Sequence, residues 1–354
     1  MSDATLAALA ADAPRSEREL EERLSRPSAE VLAALSECPG DVAVVGAGGK
    51  MGPSLSAMLR RAADAEGRGR RIHAISRWGG EAGARDAERL SVMGVNVVRA
   101  DLLDAEAHAA LPDAPNVIYM AGQKFGTQEA PSLTWMTNTV LPAYAARRYR
   151  ESRIVAFSTG NVYALTPVTG RGSREGDALA PVGEYAASCV GRERVFEDAA
   201  ARWGTRVAIV RLNYAVDLRY GVLVDLARRI QDGTPVDVSM GFVNCIWQGD
   251  ANAMAIRALP HASAPPLAIN VTGSARLAVR DVALRLGELL GRVPRFVGSE
   301  GADALLSDTS RARALFGPAT TDESTLVGWV AGWLQTGGRT LGKPTRFERR
   351  DGAF

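Results

Sequence analysis

A chain of 354 residues with a formal charge of +2 is long enough to bury a large core in one big or two modest domains. Its near-neutral balance implies no nucleic-acid partner, and no apolar run is long enough to span a membrane. No signal peptide is recognisable, so a cytoplasmic protein is expected. Cys38, Cys189 and Cys245 are too scattered for a disulfide framework or a zinc site, and His73, His108 and His261 show no ligand spacing. No metal is therefore expected. Only three of the 42 basic residues are lysines: Lys50, Lys124 and Lys343.

Residues 1–40 are predicted to form a helical N-terminal arm. Ser16-Glu17-Arg18-Glu19 has the form of a capping box, and a second helix from about Ser28 to Glu37 stops at Pro39-Gly40. A solvated extension with a partly apolar face is expected, with packing on the sheet or on a partner subunit as the alternative. From Asp41 onward strands alternate with helices. The strands are predicted at Asp41–Val45, Arg71–Ser76, Val95–Arg99, Asn116–Met120, Arg153–Phe157, Arg206–Leu212 and Leu267–Val271. The longest intervening helices are predicted at Ser54–Ala65, Ser132–Tyr149 and Tyr185–Trp203. Such alternation implies an α/β fold, a Rossmann-type doubly wound parallel sheet, spanning residues 41–215. Residues 216–354 are expected to form a smaller C-terminal α/β part that binds substrate over the carboxyl ends of the strands. From about residue 342 the tail is expected to be a surface strap or partly disordered.

The stretch Asp41–Leu55 carries the first chemical signal. An apolar strand runs into Gly46, Gly49 and Gly52, and a helix follows. Glycine lets the backbone approach a pyrophosphate, and a helix N-terminus presents free N–H groups with a favourable dipole. A tight strand–helix turn that needs glycine for packing alone is the bland alternative. The second strand ends in Ser76-Arg77, where an arginine suits the 2′-phosphate of NADP and an acidic residue would suit NAD. Arg77 thus points to NADP, with NAD as the alternative and an ordinary surface arginine as the structural one. Asp101, beside Leu102 at the end of the third strand, can meet an adenine or cap the helix that follows. Ala121-Gly122, after the fourth strand, would let a ribose lie against the backbone or simply make a turn.

These motifs come in an order that identifies a family. The glycine loop, Asp101-Leu102, Ala121-Gly122, Asn138 within Thr137-Asn138-Thr139, Ser158-Thr159-Gly160-Asn161-Val162-Tyr163, Tyr185 and Arg211-Leu212-Asn213 run as in extended short-chain dehydrogenases/reductases. Over about Asp41 to Leu334 the chain resembles the NAD-dependent epimerase/dehydratase branch of that superfamily. The resemblance implies that Thr159, with Ser158 beside it, orients the substrate oxygen and that Tyr185 transfers the proton. It further implies that Gly46, Gly49, Lys50, Met51, Gly52, Arg77, Asp101, Leu102, Ala121, Gly122, Asn138, Tyr185, Cys189 and Asn213 surround the dinucleotide. A homodimer through Ser132–Tyr149 and Tyr185–Trp203 is also implied.

Three departures narrow the expectation. Cys189 stands where the family has a lysine four residues after the tyrosine, and a neutral thiol cannot supply that charge. Arg192, two helical turns beyond Tyr185, and Lys124 are the available surrogates. Gly160 and Asn161 replace the Asp-Glu pair of the nucleotide-sugar 4,6-dehydratases, which argues against that subtype. Ser239-Met240-Gly241 lacks the arginine expected of a diphosphate clamp, leaving Arg219 or Arg228 for the role. The expected function is an NAD(P)-dependent oxidoreductase or epimerase working on a secondary alcohol or ketone of a small polar, sugar-like molecule. A redox-silent NADP-binding sensor or scaffold is the alternative that Cys189 raises.

Overall fold

The computed structural model describes residues 3–353. Three helices come first: α1 (Asp3–Ala11), α2 (Glu17–Leu24) and α3 (Ala29–Ser36). Seven parallel strands follow: β1 (Val42–Val45), β2 (Ile72–Ser76), β3 (Asn96–Arg99), β4 (Asn116–Tyr119), β5 (Arg153–Thr159), β6 (Arg206–Leu212) and β7 (Leu267–Val271). Their spatial order is β3-β2-β1-β4-β5-β6-β7, and Val42 pairs with Ile72 on one side and Asn116 on the other. Strand order therefore reverses beside β1, which opens a crevice at the carboxyl ends of β1 and β4. All four residues of β1 are buried, as a central parallel strand covered on both faces requires.

The helices between strands are α4 (Gly52–Glu66), α5 (Gly80–Val92), α6 (Pro131–Trp135), α7 (Leu141–Arg148) and α8 (Gly183–Trp203). The helix predicted over Ser132–Tyr149 is broken, because Met136–Val140 forms a π-helical turn between α6 and α7. Pro142 has no N–H with which to reach the Asn138 carbonyl, so the helical ladder fails there. Arg192 of α8 donates to that carbonyl instead, at 3.3 Å.

The remaining helices are α9 (Val222–Gln231), α10 (Gln248–Arg257), α11 (Val279–Leu290), α12 (Ser310–Phe316) and α13 (Glu323–Gln335). A second apolar core holds α9, α11 and α13 together through Leu223, Leu226, Leu286 and Val330. The C-terminal half is not a clean cut from the sheet, however. Strand β7 completes the sheet beside β6, and Ala251, Ala255 and Ile256 of α10 join the main core with α3 and α4.

The arm is not the solvated extension expected. Val31 and Leu35 of α3 and the following Cys38 lie in the main core, while Leu20 and Leu24 of α2 are fully buried in the second one. Arg70 caps α3 by donating to the carbonyls of Leu35 and Cys38, each at 2.7 Å. Helix α1 lies along α13, where any Cβ on Gly332 would be driven into Ala10. Arg339 then ties the tail to the arm through Glu17 at 2.7 Å. The signal was easy to miss because Leu20 and Leu24 are the only apolar residues of α2. One pair of leucines four apart marks a narrow contact stripe amid charges.

The tail is a strap. Its Thr345 donates to Asp225 of α9 from both backbone and hydroxyl, Phe347 is buried, and Gly352 packs on Gly183 at the start of α8.

Candidate functional site

The crevice at the strand ends opens into a cleft of about 990 Å³, lined by Gly49, Lys50, Lys124, Thr159, Tyr185 and Asn213 among others. Its floor is the glycine loop. Gly46 has φ +90°, and a Cβ there would be driven into the backbone of Ala121; one on Gly52 would meet Ala47. Packing alone accounts for these two. Gly49 differs, since the nearest atom to a Cβ placed on it is the Gly46 carbonyl oxygen at 3.5 Å. Nothing in the protein requires glycine at that position, so its bareness suits a ligand passing close to the backbone. Helix α4 starts here with Met51 offering no side-chain cap; the Gly52 N–H is met by the Gly49 carbonyl at 3.2 Å and Pro53 has none, so the Ser54 N–H is the one left for an anion. The loop thus fits a dinucleotide pyrophosphate on two independent features.

Opposite the loop stand the residues of proton chemistry. The last residue of β5, Thr159, accepts from the Asn161 backbone N–H at 3.2 Å and from its side-chain amide at 3.0 Å. Tyr185, in the first turn of α8, is hydrogen-bonded to both Thr159 and Cys189. Burial pushes its phenol well above the ordinary value; Cys189 adds to the rise, while Thr159 and the Arg192 charge oppose it. Cys189 is fully buried against Val162 and Tyr163, and burial raises its thiol too, against Arg192. The thiol faces the phenol as a neutral hydrogen-bond partner.

Ser158, beside Thr159, turns away from the reacting position. It donates to Glu193 at 2.5 Å, and Glu193 is held by Arg211 at 2.7 Å, the pair nearly without exposure. Arg211 also donates to the Tyr163 hydroxyl at 2.6 Å, and that hydroxyl donates to Asn270 at 2.9 Å. Glu193 carries no sequence motif of its own. It lies on the helix face of Tyr185 and Cys189, eight and four residues on, and that spacing was the available signal.

Of the two surrogate cations, Arg192 is spent on structure. Its guanidinium donates to the Phe157 carbonyl at 2.9 Å and to the Asn138 side chain at 2.8 Å. It acts on Tyr185 and Cys189 through charge alone. Asn138 is fully buried and exchanges hydrogen bonds with the Gln123 backbone, which makes it a clamp on the turn after β4. Gly122 of that turn has no room for a Cβ beside Arg192. Lys124, in contrast, lines the cleft with its ammonium 3.5 Å from the Thr345 carbonyl of the strap. Burial pulls it down to about 8 against the pull of Asp225 and Cys189.

Lys50 leaves the loop that carries it. Its ammonium donates to the Ala215 carbonyl at 3.0 Å and sits 4.3 Å from the centre of the Tyr220 ring, on the C-terminal side of the cleft. Ala121 and Leu102 are buried at the strand ends, and Asn213 lines the cleft, bonded to Asn244 at 3.1 Å. Asp101 accepts from the Leu103 N–H at 3.1 Å in a local turn, while the 3-10 helix that follows starts after Ala105 with no side-chain cap. Arg77 is exposed at the end of β2 and lies outside the cleft lining. Among the described residues no cluster of His, Cys, Asp and Glu could hold a metal, and no helix is long and apolar enough to cross a membrane.

Burial also pulls the Lys50 ammonium down to about 8; Arg219 and Lys124 act in the same direction, and Asp217 and Asp225 oppose it. The unfolded value is about 10.4, so between these limits the unfolded chain binds more protons and stability rises with pH. Lys50→Met is therefore expected to raise the melting temperature of the ligand-free protein near neutral pH by about 2–4 °C, roughly 1 kcal/mol. The gap from wild type should close as pH rises from about 8 to about 10. Scanning calorimetry showing a constant gap across that range would overturn the assignment.

Residues 42–238 match the model of the NAD dependent epimerase/dehydratase family. No curated protein sequence matches the chain. Among solved structures it is similar to the UDP-glucuronic acid 4-epimerase from Bacillus cereus, described in complex with UDP-glucuronic acid and NAD. That likeness has a TM-score of 0.70 and 16% identity, covering 84% of this chain and 99% of that one. A UDP-glucose 4-epimerase from Thermus thermophilus, in complex with NAD, gives 0.66 at 20% identity, with 83% and 99% covered. One from Thermotoga maritima with UDP-glucose gives 0.68 at 14% identity, with 84% and 99% covered. These likenesses bear on the fold, and the family match spans more than half of the chain. The chain belongs to the NAD dependent epimerase/dehydratase family, the extended short-chain dehydrogenase/reductase type of enzyme.

Proposed function

We propose that the protein is an NAD-dependent epimerase or oxidoreductase acting on a secondary alcohol or ketone of a small polar, sugar-like substrate. The observation that carries this is the hydrogen-bonded pair of Tyr185 and Thr159 facing the glycine loop across one cleft. The structural neighbours bound to NAD and UDP-sugars support the same class. NAD is favoured over the NADP expected from Arg77, because that side chain lies outside the cleft lining and the dinucleotide in those neighbours is NAD.

Bound at the loop, the nicotinamide would supply a two-electron acceptor and donor. The remaining work falls to the chain. Gly49 and the start of α4 hold the pyrophosphate, and Thr159, fixed by Asn161, positions the substrate oxygen. Tyr185 moves the proton at that oxygen. Its raised pKa keeps the phenol protonated at rest, so it serves first as an acid toward a carbonyl oxygen. The positive charge of Arg192, which already favours the ionised phenol, stands in for the family lysine in stabilising the tyrosinate that results.

The exposed Leu133, Trp135 and Met136 on and after α6 mark the surface through which a homodimer would form. Light scattering should then return twice the chain mass, and a monomer would remove the dimer. Gly49→Ala should leave the fold intact and weaken NAD binding by about tenfold or more, whereas Gly46→Ala should destabilise the protein itself by about 1–3 kcal/mol. Equal effects of the two on folding would contradict the ligand role of Gly49. Tyr185→Phe should lower turnover by about 10²–10⁴-fold with little change in NAD affinity. Unchanged turnover would remove the proton-transfer role. Wild-type protein that binds the cofactor yet converts nothing would favour the redox-silent alternative.

A further inference from the structure

All three lysines of this arginine-rich chain line the same cleft, although they come from the glycine loop, the turn after β4 and the C-terminal strap. Arg18 and Arg61 line the cleft from its exposed rim, Arg85 pairs with Glu81 at 3.5 Å, and three other arginines of the lining are held by carboxylates close by. Arg219 pairs with Asp217 at 2.7 Å and Glu21 at 2.6 Å, Arg339 with Glu17 at 2.7 Å, and Arg89 with Glu21 at 3.2 Å. Lys50 is treated differently. Among the described residues no carboxylate lies within ion-pair distance of it, and its ammonium has the Ala215 carbonyl and the Tyr220 ring as partners. An ammonium carries three donors, so the Ala215 bond leaves capacity for an acceptor in the cleft. Asp217 and Asp225 do not provide it. The first is engaged by Arg219, and the second accepts from Thr345 at 2.5 and 2.7 Å.

The strap holds the third lysine in place. Lys343 stands between two anchors, Leu341, which donates to the Arg219 carbonyl at 2.8 Å, and Thr345 on Asp225. These anchors keep an otherwise exposed side chain at the rim of the cleft. Lysine differs from arginine in being a compact, rotatable point charge, suited to a single anionic group approached from several sides.

We propose that Lys50, Lys124 and Lys343 form a subsite for one anionic group, a carboxylate or a phosphate, carried by the substrate, and that the C-terminal strap supplies one wall of it. This rests on reading the cleft as a dinucleotide and substrate site. The subsite is distinct from the pyrophosphate cradle, because the Lys50 ammonium points away from Gly49 to Ala215 and Tyr220. The strap also lies outside the 42–238 segment that matches the family model, so this wall belongs to the chain rather than to the family pattern.

The test uses the full chain saturated with NAD and titrated by calorimetry with inorganic phosphate and, separately, with acetate. Wild type should bind at least one of them, and which one tells phosphate from carboxylate. Lys50→Met and Lys343→Gln should each weaken that binding by about tenfold, the loss of one charged hydrogen bond, while NAD affinity in anion-free buffer stays within about twofold. Lys343 is exposed, so its substitution leaves the fold alone and tests the subsite independently of Lys50→Met. Binding of neither anion, or binding by both variants as tight as wild type, overturns the proposal. A parallel loss of NAD affinity does so too, by assigning the ammonium to the dinucleotide. If NAD does not bind wild type, the reading of the loop fails instead. The same titration of the ligand-free chain, with the same variants and criteria, then decides the subsite.

Discussion

The buried ion pair of Glu193 and Arg211 is the constraint on which the site depends. Two charges in a low-dielectric interior are tolerated only when their remaining donors and acceptors are met. Here Ser158, Tyr163 and the Glu175 carbonyl meet them. The pair sits where α8 crosses the ends of β5 and β6, so it fixes the rotation of α8 against the sheet. That rotation brings Tyr185 to Thr159. Ser158, a candidate for orienting the substrate, is consumed by this anchoring, and Thr159 is the hydroxyl left facing Tyr185.

Cys189 follows from the same geometry. It occupies the helical position between Tyr185 and Glu193, enclosed by Val162 and Tyr163, where a charged side chain would lose its hydration and find the nearby Glu193 carboxylate already paired with Arg211. The positive charges that act on this position are Arg192, one turn along α8, and Lys124, across the cleft. The first is immobile, bonded to Asn138 and Phe157. The second sits against the strap, at the Thr345 carbonyl.

Both termini converge on the cleft. The arm contributes Glu17 and Glu21, the tail Arg339 and Lys343, and the two are joined by ion pairs and by the packing of α1 on α13. Segments outside the family match thus roof a cleft whose floor is inside it. The floor carries the nucleotide features and the roof carries much of the charge that a substrate would meet.

The alternation of strands and helices, the parallel sheet and the glycine loop were legible in the chain alone. They depend on period-two and period-3.6 patterns and on glycine positions, all encoded within short windows. Thr159 and Tyr185 were singled out by the family resemblance, which works because their motifs are local, at the end of a strand and the start of a helix. The burial of the arm rests on two leucines of α2 whose partners lie more than 190 residues away, so no local pattern discloses it. The split of Arg192 from Lys124 turned on Pro142 freeing one carbonyl for a guanidinium 54 residues on. The gathering of Lys50, Lys124 and Lys343 was equally invisible, since loops and a strap distant in sequence had to fold together first. Sequence by itself determined the scaffold and its nucleotide loop; tertiary packing decided which charges face the cleft, because side-chain direction and burial are set by neighbours that the sequence places far away.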